Sequence, residues 1–158
     1  MPRPHRFDEP HGFYHVTQRG MDGLVLFGSD DDRMSFLSLV SRVAAREKWR
    51  CFAYCLMTTH YHLVLQIGDE RMARGMQWLS GTYARRFNER RARHGFVFGG
   101  RYRLTAINDE EHLWEACRYV ELNPVRAGLC AREEDWLWSS YRAYAGHEPR
   151  PPFLCDRS

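Results

Sequence analysis

Two short runs of strand-forming residues lie side by side in the middle of the chain, and they constrain the fold most. Residues 51–57 and 60–67 are rich in aromatic and aliphatic side chains, and only Thr58 and Thr59 separate them. Runs of this length and composition predict β-strands, and so short a connection predicts that the two strands pair as an antiparallel hairpin. The chain is therefore expected to contain an antiparallel sheet.

The segments on either side of this hairpin alternate between strand and helix patterns. Further strands are predicted at 12–19 and 101–107, and apolar residues at helical spacing predict helices over 29–48, 70–93 and 108–123, the last stopped by Pro124. The order β-α-β-β-α-β-α predicts an α+β fold of the ferredoxin-like, split βαβ type, an antiparallel sheet with helices packed on it.

The length of 158 residues fits a single domain spanning 1–158, with a core over about 12–128 and an aromatic C-terminal extension over 129–158. A hydrophobic content of 44% is enough for a packed core. The tryptophans and tyrosines of the extension predict that it packs across the body of the domain.

Several classes of protein are disfavoured by composition. No apolar run approaches the roughly 20 residues of a membrane span, and the polar segment Met1–Pro10 lacks the apolar core of a signal peptide. Five cysteines, an odd number, do not suggest a disulfide framework. A cytoplasmic protein with no membrane partner is expected.

Positive charge is concentrated in one part of the chain. The net charge is only +3, yet residues 71–103 contain nine arginines and a single acid, Glu89, which gives this window a charge of +8. Segregated charge of this size indicates a polyanionic partner, and the guanidinium fork suits phosphate oxygens. A bias toward arginine codons would explain arginine over lysine, but not the scarcity of acids in this window.

The first chemical signal is the pair His60 and His62. Side chains two residues apart on a strand point to the same face, so the two imidazoles could converge on one metal ion. One histidine in the core and the other in solvent is the plain alternative. A zinc site that added Cys51 and Cys55 is disfavoured, because in a strand these two cysteines would lie about 13 Å apart.

The second signal lies on the last predicted helix. Tyr119 and Asn123 are one turn apart there, at the border of the face that carries the apolar residues. A border position suits a residue that is held rigidly and still reaches a site. A tyrosine that flanks the core and an asparagine that ends the helix are the ordinary alternative, and this segment alone does not exclude it.

Taken together, these segments resemble the tyrosine transposases of the HUH endonuclease superfamily. The closest branch is the REP-associated tyrosine transposases of the transposase IS200-like family, and the resemblance covers about residues 12–142. The matching segments are 14–20 (YHVTQRG), 55–65 (CLMTTHYHLVL), 98–102 (FGGRY), 118–128 (RYVELNPVRAG) and 138–141 (WSSY). The chain departs from the family at Thr58–Thr59, where Pro-Asn is common, and at Tyr61, where a small aliphatic residue is usual.

The resemblance implies an HUH endonuclease-like fold and a set of site residues. His60 and His62 would bind Mg²⁺ or Mn²⁺, Tyr119 would be the nucleophile, and Asn123 would be the third metal ligand, where the insertion-sequence branch has Gln. The implied activity is cleavage and rejoining of single-stranded, hairpin-containing repeat DNA through a 5′-phosphotyrosine intermediate. Such a protein is expected to act as a monomer or homodimer.

Contacts with DNA are expected from the arginine-rich helix and from the strand after it. The residues predicted to bind DNA are Arg74, Arg85, Arg86, Arg90, Arg101, Tyr102 and Arg103. Tyr102 is also a second candidate for the nucleophile, and the region of Trp136 and Trp138 is expected to stack on unpaired bases. His15 is expected to make a hydrogen bond in the core. A non-catalytic nucleic-acid-binding protein of the same fold is the alternative function, and a zinc hydrolase without tyrosine chemistry is another.

Overall fold

A computed structural model describes residues 8–158, so most of the segment Met1–Pro10, for which no signal peptide was predicted, lies outside the described residues. The strands and helices closely follow the predicted order. They are, in sequence, β1 (Phe13–Arg19), α1 (Asp30–Glu47), β2 (Arg50–Leu56), β3 (His60–Gln66), α2 (Met72–Arg91), β4 (Arg103–Ile107), α3 (Glu110–Arg126) and the short α4 (Tyr141–Tyr144). Short 3₁₀ turns lie at Met21–Gly23 and Glu133–Asp135.

The four strands form one antiparallel sheet in the order β2-β3-β1-β4. The two strands of the hairpin, β2 and β3, are neighbours, and β3 also pairs with β1. The predicted α+β fold, an antiparallel sheet with helices packed on it, is therefore confirmed.

The sheet separates two hydrophobic cores, because alternate residues of each strand point to opposite faces. On one face, Tyr61, Leu63 and Leu65 of β3 pack with the apolar residues of α1 and α2. On the other face, Val64 packs with residues of α3 that include Val120. Helices α1 and α2 therefore lie on one side of the sheet and α3 lies on the other.

The starts of α1 and α3 carry side-chain caps that the sequence predicts, but the predicted end of α3 was wrong. Ser29 caps α1 by accepting a hydrogen bond from the Asp32 N–H, at 3.2 Å. Pro124 lies inside α3, which continues to Arg126. A proline this near the end removes only one bond from the ladder, and the Ala127 N–H still closes the last turn on the Asn123 carbonyl, at 2.9 Å.

The C-terminal extension, predicted to pack across the body of the domain, packs along the outer edge of the sheet beside β2. The Leu56 N–H donates to the Trp138 carbonyl at 2.8 Å, and the Ser140 N–H donates to the Tyr54 carbonyl at 3.0 Å. Farther along, the Cys155 N–H donates to the Cys51 carbonyl at 2.8 Å. These bonds satisfy backbone groups of β2 that would otherwise be left unpaired on an edge strand.

The cysteines make no disulfide in residues 8–158, which include all five of them. A register shift between Cys51 and Ala53 places Cys51 in the core under α1 and α2, whereas Cys55 belongs to the core under α3. The two cysteines therefore face opposite sides of the sheet, so they cannot bind the same zinc ion. No helix in residues 8–158 is long and apolar enough to cross a membrane.

Candidate functional site

His60 and His62 open β3 and face α3, as their spacing predicted. Their ring centroids lie 5.1 Å apart. Tyr61 points to the opposite face, where it is fully buried and its hydroxyl donates to Oε1 of Gln18 at 2.8 Å. The bulky residue between the histidines therefore anchors the start of β3 in the core under α1 and α2, and leaves the two imidazoles on the other side.

Helix α3 brings Tyr119 to these histidines. The Tyr119 ring centroid lies 6.3 Å from that of His62 and 5.9 Å from that of His15. The tyrosine is 43% exposed, so solvent and a large substrate can reach it. The guanidinium of Arg126, two turns later on α3, stands 4.7 Å from the centre of the Tyr119 ring. The structure thus places Tyr119 next to His62, which is itself next to His60.

His15 is part of this cluster, which the sequence did not predict. In the sheet register Thr17 of β1 lies opposite His62, so His15, two residues earlier, is a diagonal neighbour on the same face. Nε2 of His15 and Nδ1 of His62 are 2.9 Å apart, a hydrogen bond. Sequence reasoning expected a hydrogen bond of His15 in the core. The structure shows a hydrogen bond, but His15 is only partly buried, and its partner could be identified only from the pairing of β1 with β3.

The imidazoles of the cluster are held in their neutral forms. Burial, with added repulsion from His15 and His60, lowers the pKa of His62 to about 3. Burial and the nearby charge of Arg19 lower the pKa of His60, and burial with His112 lowers that of His15. Neutral imidazoles keep a nitrogen lone pair, which is the form that binds a metal ion.

Two of the side chains predicted to bind a metal ion have a buried polar atom without a hydrogen-bond partner. Nε2 of His62 and Nδ2 of Asn123 are buried and have no hydrogen-bond partner within residues 8–158. A half-turn of the Asn123 amide exchanges its nitrogen for its oxygen, which is a metal ligand. Among the described residues no group of three or more His, Cys, Asp or Glu side chains is placed to hold a metal ion. A site built on two histidines would therefore need Asn123, phosphate oxygens or water to complete it.

A family model matches most of the chain: residues 23–123 match the family described as Transposase IS200 like. The chain belongs to the transposase IS200-like family. Within it, the chain is similar to a protein of Haemophilus influenzae named as a REP-associated tyrosine transposase, with 23% identity over 117 residues. That alignment covers 67% of this chain and 66% of the relative, so the chain matches slightly less than two thirds of the relative's length.

Solved structures of transposases share the fold of this family member. A structure titled as a REP-associated tyrosine transposase bound to a REP hairpin has a TM-score of 0.78 at 14% identity, covering 100% of this chain and 93% of that one. A protein of Deinococcus radiodurans, titled as a transposase, has a TM-score of 0.51 at 17% identity, covering 78% of this chain and 97% of that one. At these identities the likeness concerns the fold alone.

In this IS200-like chain, three arginines line a second concavity, at the same end of the sheet as the histidines. Arg19 lies opposite His60 in the register, and Arg103 lies opposite Thr17, which in turn lies opposite His62. Together with Arg101 these side chains border a space of about 300 Å³. Arg101 and Arg103 were predicted to bind DNA, whereas Arg19 was not, because it lies outside the basic window.

The predicted DNA-binding arginines of α2 lie on the other side of the sheet. Arg74 forms an ion pair with Glu47 at 3.2 Å, and Arg90 forms one with the buried carboxylate of Asp32 at 3.1 Å. A nitrogen of Arg86 lies 3.5 Å from Oγ of Ser35, and Arg85 is exposed. These residues are solvent-accessible to differing degrees, but the sheet stands between their helix and the histidine cluster.

The aromatic residues predicted to meet DNA are more buried than expected. Tyr102 precedes β4, is only 7% exposed and belongs to the core under α1 and α2, so it is placed neither to stack on a base nor to attack a phosphate. The Trp136 indole N–H donates to the Leu56 carbonyl at 3.1 Å. Trp138 packs against the core beneath the guanidinium of Arg33. Their first role is to attach the C-terminal extension to the domain.

Proposed function

We propose that this protein is a DNA-processing enzyme that cleaves and rejoins single-stranded DNA at hairpin-containing repeats, with Tyr119 as the nucleophile. The observation that carries the proposal is the position of Tyr119, which is exposed and has its ring 6.3 Å from that of His62. Membership of a transposase family and the fold shared with a hairpin-bound transposase support the choice of DNA as substrate.

His60 and His62 would hold Mg²⁺ or Mn²⁺ through neutral imidazole nitrogens, with Asn123 as the third protein ligand. A bound ion of this kind supplies Lewis-acid polarisation of a phosphate oxygen. The buried, unpartnered Nε2 of His62 supports this assignment, because an unsatisfied nitrogen in a buried position costs roughly 1–3 kcal/mol unless it gains a partner.

Tyr119 would carry out the bond exchange. Its phenol oxygen attacks phosphorus, a tyrosine–phosphate bond forms, and the bond from phosphorus to the 3′ oxygen breaks. The phenol proton passes to solvent and the departing 3′ oxygen takes a proton, which leaves a 5′-phosphotyrosine and a free 3′-hydroxyl. Attack by a 3′-hydroxyl on the phosphotyrosine reverses the exchange, so strands are joined without a nucleotide cofactor. Arg126, held against the Tyr119 ring, restricts where the phenol can point.

The substrate backbone would follow the concavity formed by Arg19, Arg101 and Arg103. It lies at the same end of the sheet as His60, which Arg19 faces in the register, and its three guanidinium groups suit phosphate oxygens. The arginines of α2 would contribute to the long-range attraction of DNA more than to contacts at the site.

A covalent-adduct assay tests the proposed chemistry. Labelled single-stranded hairpin DNA is incubated with the protein and Mn²⁺ or Mg²⁺, and the products are separated on a denaturing gel. We expect a metal-dependent covalent band that is lost in Tyr119→Phe and in His60→Ala. Tyr141→Phe is the matched control, since this tyrosine lies on α4 outside the cluster, and its band should remain. Tight hairpin binding without any adduct would instead favour the non-catalytic nucleic-acid-binding protein.

A binding assay tests the proposed DNA path. We expect the double change of Arg101 and Arg103 to alanine to weaken hairpin binding and to reduce the slope of log Kd against log salt by about 1.5, because each lost phosphate contact removes roughly 0.7–0.9 from it. The matched pair of changes in Arg74 and Arg85 removes the same charge from the other side of the sheet, and its slope should change less. Equal effects of the two pairs would contradict the assigned path.

A further inference from the structure

The hydrogen bond between His15 and His62 links a residue outside the proposed metal ligands to one inside them. The bond joins Nε2 of His15 to Nδ1 of His62 at 2.9 Å, and the two rings meet edge to edge, with planes inclined by 28° and centroids 5.2 Å apart. In a hydrogen bond between two neutral imidazoles, one ring carries the hydrogen and the other accepts it. The direction of the bond therefore decides which nitrogen of His62 carries a proton and which keeps a lone pair.

The two directions have different consequences for Nε2 of His62. If His15 donates, Nδ1 of His62 accepts and the proton of His62 is on Nε2, a buried N–H without a partner in the part of the chain that the structure describes. If His62 donates from Nδ1, its Nε2 is a bare lone pair. Buried N–H groups without an acceptor are rare and costly in folded proteins, which disfavours the first direction.

The surroundings of His15 also allow the second direction. His15 lines an open cavity of about 440 Å³ together with Thr105, His112 and Tyr119. When its Nε2 accepts from His62, the remaining proton of His15 is on Nδ1, and water in this cavity can accept it. Neither histidine is then left with a buried donor that lacks an acceptor.

We propose that His15 is a positioning residue that accepts the Nδ1–H of His62 and thereby holds Nε2 of His62 as a free lone pair aimed at a divalent cation. Metal-binding histidines commonly donate their second N–H to a carboxylate, carbonyl or water, which fixes the tautomer and the ring orientation. In this chain the acceptor is a second imidazole, that of His15. The inference rests on the proposed function, which makes His62 a ligand, but the tautomer can be measured in the metal-free protein.

The direct test is ¹⁵N NMR of the histidine rings in the full-length, metal-free protein near pH 7. We expect His62 to carry its proton on Nδ1 and to have a bare Nε2. A proton on Nε2 of His62 would overturn the inference, whatever the protein does with metal ions or DNA. This measurement needs no variant, so it stands even if a substitution at position 15 unfolds the chain.

The second test compares two substitutions of His15 by Mn²⁺ titration followed by electron paramagnetic resonance. His15→Phe keeps an aromatic ring against His62 but has no acceptor, and we expect the Mn²⁺ affinity to fall about 10- to 100-fold. His15→Gln offers a side-chain oxygen as acceptor and should recover most of the affinity. Equal affinities of wild type and His15→Phe would contradict the inference. If the wild type binds no Mn²⁺, the proposed metal site fails, and the tautomer measurement still decides the role of His15.

Discussion

The low pKa of His62 predicts a loss of stability in mild acid that one substitution should remove. Burial holds the pKa of His62 at about 3 in the folded protein, against 6.5 for an unperturbed histidine. Between these two values the unfolded chain binds a proton that the folded chain does not, so the free energy of unfolding falls as the pH is lowered. From pH 7 to pH 5 the free energy of unfolding should fall by about 2 kcal/mol, since one pKa unit corresponds to about 1.4 kcal/mol.

The test compares wild type with His62→Gln, whose amide has a similar reach and does not titrate in this range. Urea unfolding is followed by tryptophan fluorescence at pH 7 and at pH 5, with a chelator present to exclude metal binding. The cost of the substitution itself cancels, because each protein is compared with itself at the two pH values. Wild type should lose about 2 kcal/mol more than the variant over this interval. Equal losses would refute the argument that His62 is held neutral by burial.

Three further substitutions test the packing of α1 and α2. Asp32→Asn removes a carboxylate, 1% exposed, that two arginines of α2 share, and should lower the free energy of unfolding by about 3 kcal/mol in urea titrations; an unchanged midpoint would contradict this. Gly75→Ala would place its Cβ in steric conflict with the Trp49 indole and should lower the free energy of unfolding by about 1–3 kcal/mol. Gly81→Ala, in the same helix, places its Cβ in open space and should raise the free energy of unfolding by about 0.5–1 kcal/mol. Melting temperatures that shift in the same direction for the two glycine variants would contradict these two predictions.

Local patterns predicted the strands and helices because the forces that define them are local. The alternation of Tyr14 and Val16 with Phe13 and His15 gives the two faces of β1 directly, and the burial of its side chains follows that alternation. The start of α1 follows from the hydroxyl of Ser29, which caps it. The end of α3 was harder to predict, since a proline near a helix end costs one hydrogen bond and the following residues can still close the turn.

The partners of the site residues could not be predicted locally, because they depend on strand register and on which face of the sheet each helix covers. His15 and His62 are 47 residues apart, and their hydrogen bond exists only because Thr17 pairs with His62. The spacing of His60 and His62 within a single strand, in contrast, was enough to place both imidazoles on one face. Tyr119 reached them through the packing of α3 on that face, which the resemblance to the HUH endonucleases implied and the helix pattern alone did not.

The basic window illustrates how far charge along a sequence can differ from charge around a site. Arg74, Arg90 and Arg91 contribute to the window, yet they pair with acids that lie outside it, so part of its +8 is compensated in the folded protein. Screening at physiological ionic strength limits the reach of exposed charges to roughly 8 Å, so charges on the far side of the sheet act weakly on a phosphate beside His60. The field there is set by nearby arginines, and Arg19, which the window omits, lies opposite His60 in the sheet.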